Sequence, residues 1–129
     1  YNCIIYKGDE IMNLITKILA ILVGLEFLYI MYIETIITTS EKTSTVFGIP
    51  TDILQDKTVS TLLKNQGIYN GLIGVLILIA VLVFTSKVAT ISLLIYVILV
   101  ATYGGITSNP KIILMQGGLA ILALISTIF

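Results

Sequence analysis

Apolar residues run along the chain in four long blocks separated by short polar breaks, and those breaks set the predicted elements. From Met12 the first block starts at Asn13-Leu14, with Lys17 placed to snorkel, and gives way at Thr38-Thr39-Ser40-Glu41-Lys42. Its stretch from Ile18 to Ile37 is long enough, as a helix, to cross a hydrocarbon layer of roughly 30 Å at about 1.5 Å per residue. The second block lies between Lys64 and Ser86-Lys87, the third ends before Gly104-Gly105 and Ser108-Asn109-Pro110, and the fourth follows Lys111. Ser86-Lys87 is so short a connection that the helices on either side must run antiparallel. The pattern therefore predicts an all-α fold, a transmembrane four-helix bundle with spans at about 14–38, 66–85, 88–103 and 112–129. Both ends of that domain, 12–129, lie on one side.

One longer polar loop separates helices 1 and 2. Between Thr39 and Lys64 stand Glu41, Lys42, Asp52, Asp56, Lys57 and Lys64, with Phe47-Gly48 and Pro50. Within it, Thr51 or Asp52 caps a predicted short interfacial helix whose apolar face is Ile53, Leu54, Val59, Leu62 and Leu63. In the second block Gly67, Gly71 and Gly74 form a small-residue stripe of the kind that lets helix backbones approach closely, within one chain or between the two copies of a homodimer. The first eleven residues stand apart. They lack the charged start and apolar stretch of a signal peptide. Lys7-Gly8-Asp9-Glu10 back-translates to a purine-rich AAAGGAGATGAA, as a ribosome-binding site would read, so 1–11 is expected to be a non-native translated leader ahead of Met12.

Composition sharpens the class. The chain has 129 residues, 57% hydrophobic and 11% charged, with no Trp and no His, and a mean hydropathy of +1.09; that is the balance of a polytopic membrane protein. Seven basic residues, all Lys, match seven acidic ones, so no basic excess points to nucleic acid. The Lys and Ile bias fits an AT-rich bacterial genome, and the expected location is the bacterial cytoplasmic membrane. Lysines divide between the two sides too evenly to fix orientation. With no His and a single Cys, Cys3, the chain has no ligand cluster for zinc, haem or iron–sulfur and no His base, so no cofactor is expected.

The unusual feature is polar residues inside apolar blocks. Leu25 to Glu34 carries two carboxylates and two tyrosines. Antiparallel geometry sets their depths: Glu34, Gln66, Tyr69, Asn70, Tyr103 and Gln116 fall near one surface, and Glu26, Tyr29 and Tyr96 lie deeper. These nine residues are the candidate site, a cleft tapering toward Glu26. A carboxyl at that depth is expected to be neutral and to pair with Tyr29 and Tyr96, while Glu34, nearer water, is expected to keep its charge with Lys111 or Lys64 beside it. Gln66, Asn70 and Gln116 read more readily as hydrogen-bonding glue between helices than as ligand contacts, and Tyr69 and Tyr103 read most simply as interfacial aromatics.

Leu25-Glu26-Phe27-Leu28-Tyr29-Ile30-Met31-Tyr32-Ile33-Glu34, Phe47-Gly48, Asn65-Gln66-Gly67-Ile68-Tyr69-Asn70-Gly71, Tyr103-Gly104 and Gln116 together resemble the bacterial membrane proteins grouped as domain of unknown function 1304. The resemblance covers nearly all of 12–129 and implies four spans, with no established activity. The chain departs from the family pattern at Phe27, where the family carries His, and at Gly118-Leu119, where it carries Pro before Ala120. A looser likeness to DoxX-like proteins rests on architecture alone. The resulting expectation is a non-enzymatic protein whose partners are the lipid bilayer and a small lipophilic ligand or membrane partner, with intramembrane acid catalysis by Glu26 left open. A proton-coupled exporter and a quinone-associated redox component are the alternatives.

Overall fold

The computed structural model describes residues 11–129; the expected leader, apart from Ile11, and Cys3 lie outside the described residues. The described chain is all-α, with no strand. Helix α1, Leu14–Met31, starts where the Asn13 side chain accepts the Thr16 N–H at 2.7 Å, and it continues as a π turn over Tyr32–Ile36. Helix α2, Glu41–Phe47, is capped by Ser40 and closed by Gly48 at φ +67°, a left-handed conformation that glycine adopts without steric cost. Helix α3, Thr51–Leu54, is a single turn. Asp56 caps α4, Lys57–Leu78, which ends in a second π turn, Ile79–Val83. Ser86 caps α5, Lys87–Thr107, and α6 spans Lys111–Ser126 after Pro110.

The polar stretch from Thr39 to Lys64 is thus mostly helical, and the expected interfacial helix divides in two. Ile53 and Leu54 belong to α3, whereas Val59, Leu62 and Leu63 lie on α4, continuous with Gln66 to Gly74. No Gly or Pro falls between Asp56 and Gln66 to interrupt the helix once Asp56 has started it.

Three stretches are long and apolar enough to cross a membrane: Leu14–Ile36 and Lys57–Val83, both with mean hydropathy 2.1, and Lys87–Thr107 at 2.0. Helix α6 is apolar but shorter.

The glycine stripe of α4 is used within the chain, along the seam with α1. A methyl group on Gly74 would lie 2.7 Å from the Gly24 carbonyl oxygen, a backbone atom that cannot swing aside. On Gly67 it would collide with Thr35 Oγ1 and lie 2.9 Å from Glu34 Cβ. Helix α6 packs on the other flank of α1, and α5 packs along α6. At the other end of the molecule Thr16 and Ser126 hydroxyls meet at 2.8 Å and Asn13 Nδ2 donates to the Ser126 carbonyl at 2.8 Å, pinning the start of α1 to the end of α6. Phe27, Ile33, Ile77, Leu94 and Val97 fill the core between the helices. Helices α4 and α5 meet only sparsely, and their separation opens the cleft described next.

Candidate functional site

Glu34 anchors the cleft from behind. It sits in the π turn of α1, and its own carbonyl accepts the Thr38 hydroxyl at 2.6 Å. Helix α2 folds back over this end, where the Thr43 hydroxyl donates to the Ile33 carbonyl at 2.6 Å. Between this cover and α4, Glu34 is 0% exposed. Its carboxylate is held by two amides one turn apart on α4: Gln66 Nε2 donates to Oε1 at 3.2 Å, and Asn70 Nδ2 to Oε2 at 3.1 Å and Oε1 at 3.3 Å.

The expectation for Glu34 is therefore corrected. Nearness to the end of an apolar block suggested water and a lysine counter-ion, but α2 closes off that end and amides take the place of a lysine. Lys64 contributes its backbone carbonyl instead, which accepts the Thr35 hydroxyl at 3.0 Å.

In front of the two amides lies a cleft of about 410 Å³, within the size range of small-molecule sites. Six of the predicted residues line it: Gln66, Tyr69 and Asn70 from α4, Tyr96 and Tyr103 from α5, and Gln116 from α6. Phe27 supplies the wall from α1, so the position where the family resemblance led to an expectation of His faces this space. Phe47, just after which α2 ends at Gly48, closes another side.

Glu26 does not line the cleft. It lines a second recess of about 220 Å³ between α1 and α6, with Tyr29, Ile33, Val46, Met115 and Gln116. Phe27, one position along and about 100° further round the helix, takes the cleft-facing direction that was expected of Glu26. Tyr96 accordingly stands in the cleft and Tyr29 in the recess. Glu26 Oε1 is buried with no hydrogen-bond partner. Gln116 lines both spaces and is the residue they share. The nine predicted residues thus divide between two adjoining spaces and one buried carboxylate.

Sequence reasoning did not single out Thr43, which secures the cover over Glu34, or Thr35. Phe27 was singled out only through family resemblance, and Phe47 only through that resemblance and as part of the polar loop. Among the described residues no group of three His, Cys, Asp or Glu side chains could hold a metal ion. The lining of the cleft offers hydroxyls, amides and aromatic rings, which bind by hydrogen bonding and surface contact.

The sequence of residues 21–128 matches the family described as "Protein of unknown function (DUF1304)". An "Uncharacterized protein YpaA" from Lactococcus lactis subsp. lactis (strain IL1403) is 56% identical over 119 residues, 92% of this chain and 100% of the relative. No solved structure matches the chain. On the match to 21–128 and this identity, the chain belongs to the DUF1304 family of proteins of unknown function.

Proposed function

We propose that the protein is a multi-pass integral protein of the bacterial cytoplasmic membrane, a four-helix bundle of α1, α4, α5 and α6, that binds a small lipophilic ligand in the cleft between α4, α5 and α6. Support for membrane embedding comes from the three long helices, of which only 33%, 33% and 28% is buried within the molecule despite their hydropathy. The large exposed residues include Leu72, Leu99, Ile106 and Leu114, a surface that suits hydrocarbon better than water.

The observation that carries the ligand reading is the combination of an open, largely apolar cleft with a built polar wall, Glu34–Gln66–Asn70. Amides serving only as glue between helices need no cavity beside them. Binding is tested by native mass spectrometry of protein released from lipid nanodiscs. Wild type is expected to retain a small lipophilic molecule, and Val100→Trp, which fills the cleft from a partly exposed position, is expected to lose it without loss of folding. An empty wild-type protein, or equal retention in the variant, contradicts the proposal.

A second reading, proton-coupled export, draws on Glu26: a carboxyl with an unpartnered oxygen stands in a recess that shares Gln116 with the cleft. Proteoliposomes loaded with a pH-sensitive dye test it. Absence of substrate-dependent proton flux contradicts it.

A further inference from the structure

The polar wall of the cleft is fixed in one direction. Gln66 Nε2 and Asn70 Nδ2 both donate to Glu34. A side-chain amide is planar, so an amide whose nitrogen faces the carboxylate turns its oxygen away from it. Neither Gln66 Oε1 nor Asn70 Oδ1 accepts a hydrogen bond from another described residue, and both residues line the cleft.

Exchanging oxygen and nitrogen in the amides does not escape this arrangement. A neutral Glu34 has one proton and satisfies one amide oxygen at most, so the other amide must still present its NH₂ to the carboxyl; an ionised Glu34 demands this of both. In either state the cleft receives at least one fixed acceptor.

Aromatic rings surround these acceptors: Phe27, Phe47, Tyr69, Tyr96 and Tyr103 all line the cleft, and its lining contains no charged side chain. Amide oxygens and ring faces both carry partial negative charge. These two groups attract a cation rather than a carboxylate or phosphate head, while the hydroxyls of the lining serve either charge. Behind the amides stands the Glu34 carboxyl, whose oxygens hold the amide nitrogens and so keep the amide dipoles turned away from it.

We infer that the cleft selects a lipophilic ammonium, an apolar body whose head carries both a positive charge and N–H donors. The inference rests on the ligand-binding reading of the same cleft and specifies its ligand class. The apolar body lies along Ile73, Val97 and Val100, and the head meets the Gln66 and Asn70 oxygens.

The test uses the full chain with Cys3→Ser and a single reporter, Val100→Cys in the cleft, compared with Leu76→Cys, an exposed position outside it. Maleimide labelling is timed with decylammonium, decyltrimethylammonium or decanoate present. Protection is scored as the rate ratio between the two reporters, so that uptake of the probe into detergent cancels. Decylammonium is expected to protect at concentrations about tenfold lower than decanoate and about threefold lower than decyltrimethylammonium, the latter because it lacks N–H donors. Gln66→Met, which keeps the side chain's length and removes its amide while Asn70 still donates to Glu34, is expected to weaken decylammonium protection about threefold and leave decanoate unchanged.

Equal protection by decanoate or by decyltrimethylammonium, or no effect of Gln66→Met, overturns the ligand class while leaving the cleft reading intact. Protection by none of the three overturns both.

Discussion

Helix α1 and its π turn carry two carboxylates whose surroundings are opposite. Glu34 is fully enclosed and accepts three amide contacts. Glu26 has one oxygen buried without any partner, in a recess walled mainly by apolar side chains. An enclosed carboxylate that satisfies donors on a neighbouring helix is part of the structure, because removing it strands those donors. A carboxyl with an orphan oxygen carries a desolvation cost without compensation, so its presence calls for a reason other than stability. The difference separates a residue that builds the site from one that is held in reserve beside it.

Stability measurements break or sharpen this contrast. The largest effect is expected for Glu34→Leu, which leaves the Gln66 and Asn70 donors unpaired at the α1–α4 seam; unfolding in mixed micelles should show a loss of about 3 kcal/mol. Gly67→Ala should cost about 2 kcal/mol, since the added methyl pushes on Thr35 and on Glu34 itself. A wild-type unfolding midpoint for Gly67→Ala would mean that the seam is looser than described. Asn70→Leu removes a donor and leaves the carboxylate with Gln66 alone, a loss of about 1–2 kcal/mol. Combined with Glu34→Leu it should cost less than the sum of the two. The smallest effect, and one of opposite sign, is expected for Glu26→Leu: no partner is lost, so stability should stay level or rise by about 1 kcal/mol. A loss there comparable with Glu34→Leu would erase the contrast.

The four apolar blocks were legible because long hydrophobic runs bounded by Lys and Ser leave few alternatives to helices, but α5 continues through Gly104-Gly105 to Thr107, past the point where the third block was expected to end. The candidate residues were legible as polar exceptions within those runs. Their grouping was not. The π turn over Tyr32–Ile36 changes the angular register on which a face assignment from Glu26 onward depends, and no propensity marks it in the sequence. Burial of Glu34 depends on α2 folding back through Thr43 to the Ile33 carbonyl, a tertiary contact made by a segment that looks polar and loop-like when read alone. The glycine stripe announced a close approach but not its partner. Only the packing shows that Gly74 faces Gly24 of the same chain.

On the proposed function the ligand occupies the cleft in front of Glu34, and the Glu26 recess holds none. The most direct measurement is ligand retention, by native mass spectrometry, in two variants that each fill one space: Val100→Trp in the cleft and Met115→Trp in the recess. Val100→Trp is expected to lose the bound molecule while Met115→Trp keeps it. Retention in Val100→Trp together with loss in Met115→Trp would contradict the account and place the ligand beside Glu26.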